Sequence, residues 1–128
     1  MIERCEELER FVRGEIDARA FPHAQHLRMA FEMLRRHDFA ETVHLYSRAL
    51  RAMTQRAGRP EAFHQTLTIA FLSLIAERMR AGRHPDFRGF AAANPDLQEK
   101  SVLSRWYRPE RLASEAARHS FVLPDAPP

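Results

Sequence analysis

The sequence predicts an all-α fold: a single-domain bundle of four main helices, then short C-terminal helices and an extended Pro-rich tail. Three observations carry that expectation. Only four glycines occur in 128 residues, too few for the tight turns of an all-β chain. Apolar residues recur three and four positions apart, the helical period, through 39–57 and 60–81. Prolines stand mostly where helices would begin and in the last residues, and glycines stand where helices would end. A chain of this length supports one core rather than two. The domain 1–128 is divided into an N-terminal helix and loop (1–20), a core three-helix unit (21–82) and a C-terminal region of short helices and tail (83–128).

The first helix is expected over 2–13, with Ile2, Leu8, Phe11 and Val12 as a weak apolar stripe and Gly14 as its stop. The second runs over 22–37, with Pro22 at its first position. The third spans 39–57, its stripe formed by Phe39, Val43, Tyr46, Leu50, Met53 and Ala57, and Gly58 closes it. The fourth spans 60–81, opened by Pro60 and ended by Gly82; it is the most apolar segment and is placed at the centre of the bundle. Beyond it, Asn94 reads as a cap for a short helix reaching about Tyr107. Pro109 opens another turn, and Ser114 caps a last helix over 115–119. The closing FVLPDAPP is too proline-rich for a helix and is expected to lie extended over the surface.

Composition narrows the function classes. Charged residues make up 29% of the chain, yet the net charge is only +3. All the basic residues but Lys100 are arginines, and they form no single block, so contact with nucleic acid is permitted but not indicated. No glycine-rich phosphate loop, G-x-S-x-G or CxxC occurs. The lone Cys5 excludes an internal disulfide and fits a reducing, cytoplasmic setting. The start MIERCEELERF lacks the apolar stretch of a secretory signal, and the run Leu67 to Ala76 is about half a membrane span.

One constellation points to chemistry. His23 and His26 are three apart at the start of the second helix, about 60° apart around its axis. His64 is placed in the first turn of the fourth helix, facing inward with Leu67, Thr68 and Phe71. Short connections make successive helices antiparallel, so the second and fourth start at the same end. Three neutral imidazoles meeting there would suit a divalent transition metal (Zn, Fe, Cu or Ni) and leave coordination positions open. Glu61 at the same end is a candidate carboxylate ligand or base, and Thr68, a turn deeper, a candidate hydrogen-bond donor to a ligand. The plain alternative is that each histidine only hydrogen-bonds a backbone carbonyl or a carboxylate. His37 and His44 read as a solvated turn, and His84 and His119 as exposed. Trp106-Tyr107 reads as a hydrophobic clasp holding the C-terminal segment to the bundle.

The segments FPHAQHLRMAF, FHQTLTIAFLSLIAERM and WYRPERLASEAARHSFVLPDAPP resemble a family of small uncharacterised bacterial all-helical proteins with H-x-x-H-L and [YF]-H-x-T-x-T motifs. The resemblance runs from Phe21 to the C-terminus and implies importance for His23, His26, His64, Thr66 and Thr68. It also marks Arg118 and Asp125 as charges that tie the tail to the body. Gln65 stands where that pattern has glutamate, and Phe63 where it has tyrosine. The family supplies no reaction.

Three functional classes are open on the sequence: a metal-dependent enzyme using His23, His26 and His64; a non-catalytic module for a small anionic or polar ligand; and a homodimeric interaction protein with structural histidines.

Overall fold

The computed structural model describes residues 5–125. It is all-helical, and no strand occurs among the described residues. Seven α-helices follow in order: α1 (Glu6–Val12), α2 (His23–Arg36), α3 (Phe39–Arg56), α4 (Gln65–Ala81), α5 (Phe87–Ala93), α6 (Pro109–Leu112) and α7 (Glu115–His119). Short 3-10 turns occupy Ala18–Ala20, Pro60–Ala62, Pro95–Gln98 and Val102–Arg105. The expected contribution of Ile2 and the last residues of the tail lie outside the described residues.

Two glycines end helices as expected. Gly14 has φ +74° and its N–H reaches Phe11 O at 3.0 Å, while Glu15 N–H reaches Arg10 O at 2.9 Å. Gly58 repeats the motif after α3 with φ +73°, its own N–H on Gln55 O and that of Arg59 on Thr54 O. These paired bonds satisfy the last carbonyls of each helix, and the left-handed φ they need falls to glycine.

Helices α2, α3 and α4 share the centre of the packing, where the sequence places the fourth helix alone. Helix α4 touches α2, α3 and α7, and its Leu72 and Ile75 are fully buried. Phe11, Leu27, Met29, Met33, Phe90 and Leu97 complete the innermost layer. Each such side chain contributes roughly 1.5–3 kcal/mol by leaving water. On α3 the buried face is rotated from the expected stripe. Thr42 and Ser47 are buried, whereas Phe39 is 40% exposed and Ala57 exposed. The Thr42 hydroxyl reaches the Met33 carbonyl at 3.4 Å, so its burial leaves no unpaired donor.

Three boundaries differ from expectation, each for a local reason. Pro22 is the cap of α2 and not its first residue. The expected fourth helix is broken: Pro60 opens only a 3-10 turn, Phe63 and His64 are extended, and α4 begins at Gln65. The expected helix 95–107 is two 3-10 turns, and an unforeseen α5 precedes them, started by Asp86 accepting from Gly89 N–H at 2.9 Å. Asn94 does not cap by its side chain. It bridges instead, donating to Phe90 O and accepting from Arg78, both at 3.0 Å. Pro109 and Ser114 start α6 and α7 as expected, Ser114 Oγ accepting from Ala117 N–H at 3.1 Å.

Candidate functional site

The three histidines of the sequence constellation are engaged separately. His64 is the cap of α4: its Nδ1 accepts the Leu67 N–H at 3.1 Å. That role leaves the ring proton on Nε2, which donates to Leu112 O at 2.7 Å. Both nitrogens are therefore committed, and neither offers a lone pair to a metal. His23 Nε2 donates to Leu97 O at 2.9 Å, and its ring lies 5.2 Å from that of Phe71. Phe71 is seven residues beyond His64, two turns or roughly 10 Å along the helix. His23 therefore packs on Phe71 and bonds Leu97, while His64 caps the helix seven residues earlier, each ring with its own partners.

His26 sits in an aromatic nest. Its ring stands edge-on to Phe21 at 4.6 Å, and Phe21 stacks on Phe11 at 5.2 Å. Desolvation pushes its pKa down to about 4, with smaller contributions from His23 and Lys100, against a hydrogen bond to the Phe21 backbone. The imidazole is held neutral at ordinary pH.

Among the described residues, no three His, Cys, Asp or Glu side chains form a group able to hold a metal ion. Instead His23 fastens the turn Pro95–Gln98 and His64 the end of α6 by hydrogen bonds to backbone carbonyls, while His26 packs edge-on against Phe21.

The two threonines marked by resemblance are equally occupied. Thr68 Oγ1 donates to His64 O at 2.7 Å, so it is not presented to a ligand as expected. Thr66 Oγ1 donates to Ser120 O at 2.8 Å and accepts Val122 N–H at 3.0 Å. This hydroxyl, fully buried, is the anchor of the segment 120–125, which folds back over α4. Tyr107 Oη donates to Val122 O at 2.9 Å, Arg111 Nε to Leu123 O at 2.6 Å, and Arg108 N–H to Asp125 Oδ2 at 2.6 Å. Asp125 N–H returns to Trp106 O at 3.0 Å. Asp125 and Tyr107 tie the tail down, as the resemblance and the clasp reading implied; Trp106 does not bury itself. Arg118 reaches the Glu61 backbone carbonyl and fastens α7 to the turn before α4.

This strap builds the outer wall of a cleft of about 260 Å³ against α4. Leu74, Leu103 and Tyr107 form its buried walls, and Trp106 and Phe121, each 41% exposed, its rim. Ser73 and Glu77 supply the polar lining, and Glu77 is its only ionisable side chain apart from the Tyr107 phenol. Burial raises the phenol's pKa, Arg111 opposes the rise and Asp125 adds to it; the Glu77 side chain is exposed at the edge of the lining. Sequence reasoning missed this cleft. The available signal was Ala70, Ser73 and Glu77 interrupting one face of an otherwise apolar helix, with unplaced aromatic residues downstream.

Glu61 lies elsewhere, exposed within the turn Pro60–Ala62, its Oε1 3.8 Å from Arg59 Nε. Arg78, at the far end of α4, makes a bidentate pair with Asp96 at 2.7 and 2.9 Å, joined by Arg105 at 3.1 Å. Those hydrogen bonds from Arg78 hold the Asp96 carboxyl down at about 2. No helix among the described residues is long and apolar enough to cross a membrane. No family model matches the chain, and no curated protein or solved structure matches it.

Proposed function

We propose that this chain is a non-catalytic binding protein whose histidines are structural. It takes a small amphipathic ligand, an apolar body with a cationic head, in the cleft between α4 and the C-terminal strap. The observation that carries this reading is the pairing of two half-exposed aromatic rings, Trp106 and Phe121, with the single carboxylate of Glu77 around one concavity. Soluble proteins seldom leave large aromatic side chains at a cleft mouth without use. Aromatic faces attract an ammonium group by their quadrupole, and one nearby carboxylate adds charge complementarity. The apolar walls from Leu74 and Leu103 suit a short hydrocarbon body. The bonds of His23 and His64 to backbone carbonyls, and the packing of His26 on Phe21, favour this class over a metal-dependent enzyme. The lone thiol of Cys5 favours a reducing, cytoplasmic setting.

Trp106 is the only tryptophan of the chain, so its emission reports the cleft directly. Titration with hexyltrimethylammonium, hexanol and hexyl sulfate should shift that emission most strongly with the cation and least with the anion. Glu77→Gln should reduce the preference for the cation over the alcohol, and Phe121→Ala should weaken both. Equal response to all three probes, unchanged in Glu77→Gln, would defeat the reading. The rim, with Leu123 69% exposed beside it, also favours a second reading in which a copy of the chain covers this face. A concentration-dependent dimer abolished by Trp106→Ala, with no response to any probe, would establish that reading instead.

A further inference from the structure

We propose a second binding site, for a small oxyanion of the phosphate class, where the last turns of α3, the turn Pro60–Ala62 and α7 meet. A cleft of about 290 Å³ opens there, and Arg51 from α3 and Arg118 and His119 from α7 all line it. None of its lining residues belongs to the aromatic cleft, so this site stands independently of the function proposed above.

The two guanidinium groups are positioned by their surroundings. Arg51 lies 4.8 Å over the ring of Phe63, and its Nη2 donates to Gln65 Oε1 at 3.1 Å. Gln65 is itself oriented by donating to Ser47 Oγ at 3.3 Å. Arg118 is oriented by the bond from its Nη1 to the Glu61 carbonyl. Each guanidinium carries five N–H donors in a planar fork, and each of these bonds engages a single nitrogen. A guanidinium held by stacking and one bond loses little freedom on binding, which is the condition under which arginine recognises phosphate oxygens in pairs. The Thr54 side chain lines the same cleft, though its hydroxyl donates to Arg51 O at 3.1 Å and so enters only as an acceptor.

Cations in the last turn of α7 would by themselves be explained by the negative end of that helix. That argument accounts for Arg118 and His119 on their own element. It does not account for Arg51, which comes from a different helix, five residues before its end, and faces the same opening. The one acid of the lining, Glu61, is exposed and lies 3.8 Å from Arg59, which is outside the cleft. Glu61 therefore leaves the two arginines as the dominant charge.

The test uses the full chain and inorganic phosphate and pyrophosphate as probes, with sulfate at equal ionic strength as the competitor. Calorimetric titration should give saturable binding of pyrophosphate that Arg51→Gln weakens at least tenfold. Arg51→Lys should recover part of the loss, since it keeps charge and loses the fork. Arg118→Gln should weaken binding too, but it also releases α7, so Arg51 carries the test. Arg88→Gln, on α5 and away from the cleft, should leave affinity within twofold. Trp106→Ala should leave it unchanged even where it abolishes the aromatic cleft's response. Equal weakening by Arg51→Gln and Arg88→Gln would reduce the effect to net charge and overturn the proposal. So would absence of saturable binding, or a short single-stranded oligonucleotide bound at these residues more tightly than pyrophosphate.

Discussion

Lowering the pH from 7 to 5 should destabilise this protein through His26. In the folded chain its pKa is pushed down to about 4 from an ordinary 6.5. Between those two values the unfolded chain binds a proton that the folded chain refuses, so stability rises with pH across that window and falls on acidification. The stabilisation is fully present above pH 6.5 and is lost as pH falls toward 4. A displacement of this size corresponds to a full loss of about 3 kcal/mol, an upper bound because water reaches part of the ring. Of this, about 2 kcal/mol is lost by pH 5 and only a few tenths at pH 7. Asp96, held at about 2 by its hydrogen bonds to Arg78, titrates below that interval and does not confuse it. The assay is urea denaturation followed by circular dichroism at pH 7 and pH 5, for the wild type and His26→Gln. Glutamine offers an N–H to the Phe21 backbone without a titrating ring. The wild type should lose about 2 kcal/mol more than the variant over the interval, a large fraction of a typical domain's stability. Identical losses in the two proteins would refute the reasoning, because the burial of a neutral imidazole against Phe21 would then carry no linkage.

Substitutions at three positions probe the backbone devices by urea midpoint. His64→Ala should cost roughly 1–3 kcal/mol, removing the cap on Leu67 N–H and leaving Leu112 O unpaired; His64→Asn should recover most of the cap's share. Gly14→Ala should be the costlier of two equivalent changes. Its Cβ would meet Ala52 Cβ at 2.8 Å, whereas at Gly58, of nearly the same φ, no atom lies within 4 Å. Gly58→Ala should therefore cost only the left-handed penalty of about 1–2 kcal/mol, and equal losses at both sites would show that α1 simply moves aside.

The fold class and the helices with strong periodicity were legible because one apolar face and one capping residue decide each of them. The limits of α3 and the stops at Gly14 and Gly58 followed from residues next to one another. The start of α4 did not, because Pro60 serves a 3-10 turn as well as an α-helix, and His64 serves as a cap only once Leu67 is in place. The candidate metal site depends on a tertiary quantity, how α2 sits along α4, and among the described residues no group able to hold a metal ion is found. Nothing near His23 encodes that His23 meets Phe71 and Leu97 and not His64. The aromatic cleft was hidden for the same reason, since the neighbours of Phe121, Ser120 and Val122, are tied to α4 through the buried hydroxyl of Thr66, more than fifty positions earlier.

The manner in which the segment 120–125 is fastened has a thermodynamic consequence. Its attachments are a few hydrogen bonds, part-buried at Thr66 and Tyr107 and exposed at Arg108 and Arg111, and an element held by so few bonds is of the kind that opens locally below global unfolding. Whenever it detaches, Phe121 and Pro124 leave, and the concavity loses a side. Occupancy and closure are then two readings of one equilibrium: apparent affinity scales with the closed fraction, and a bound molecule slows amide exchange at Val122 and Asp125.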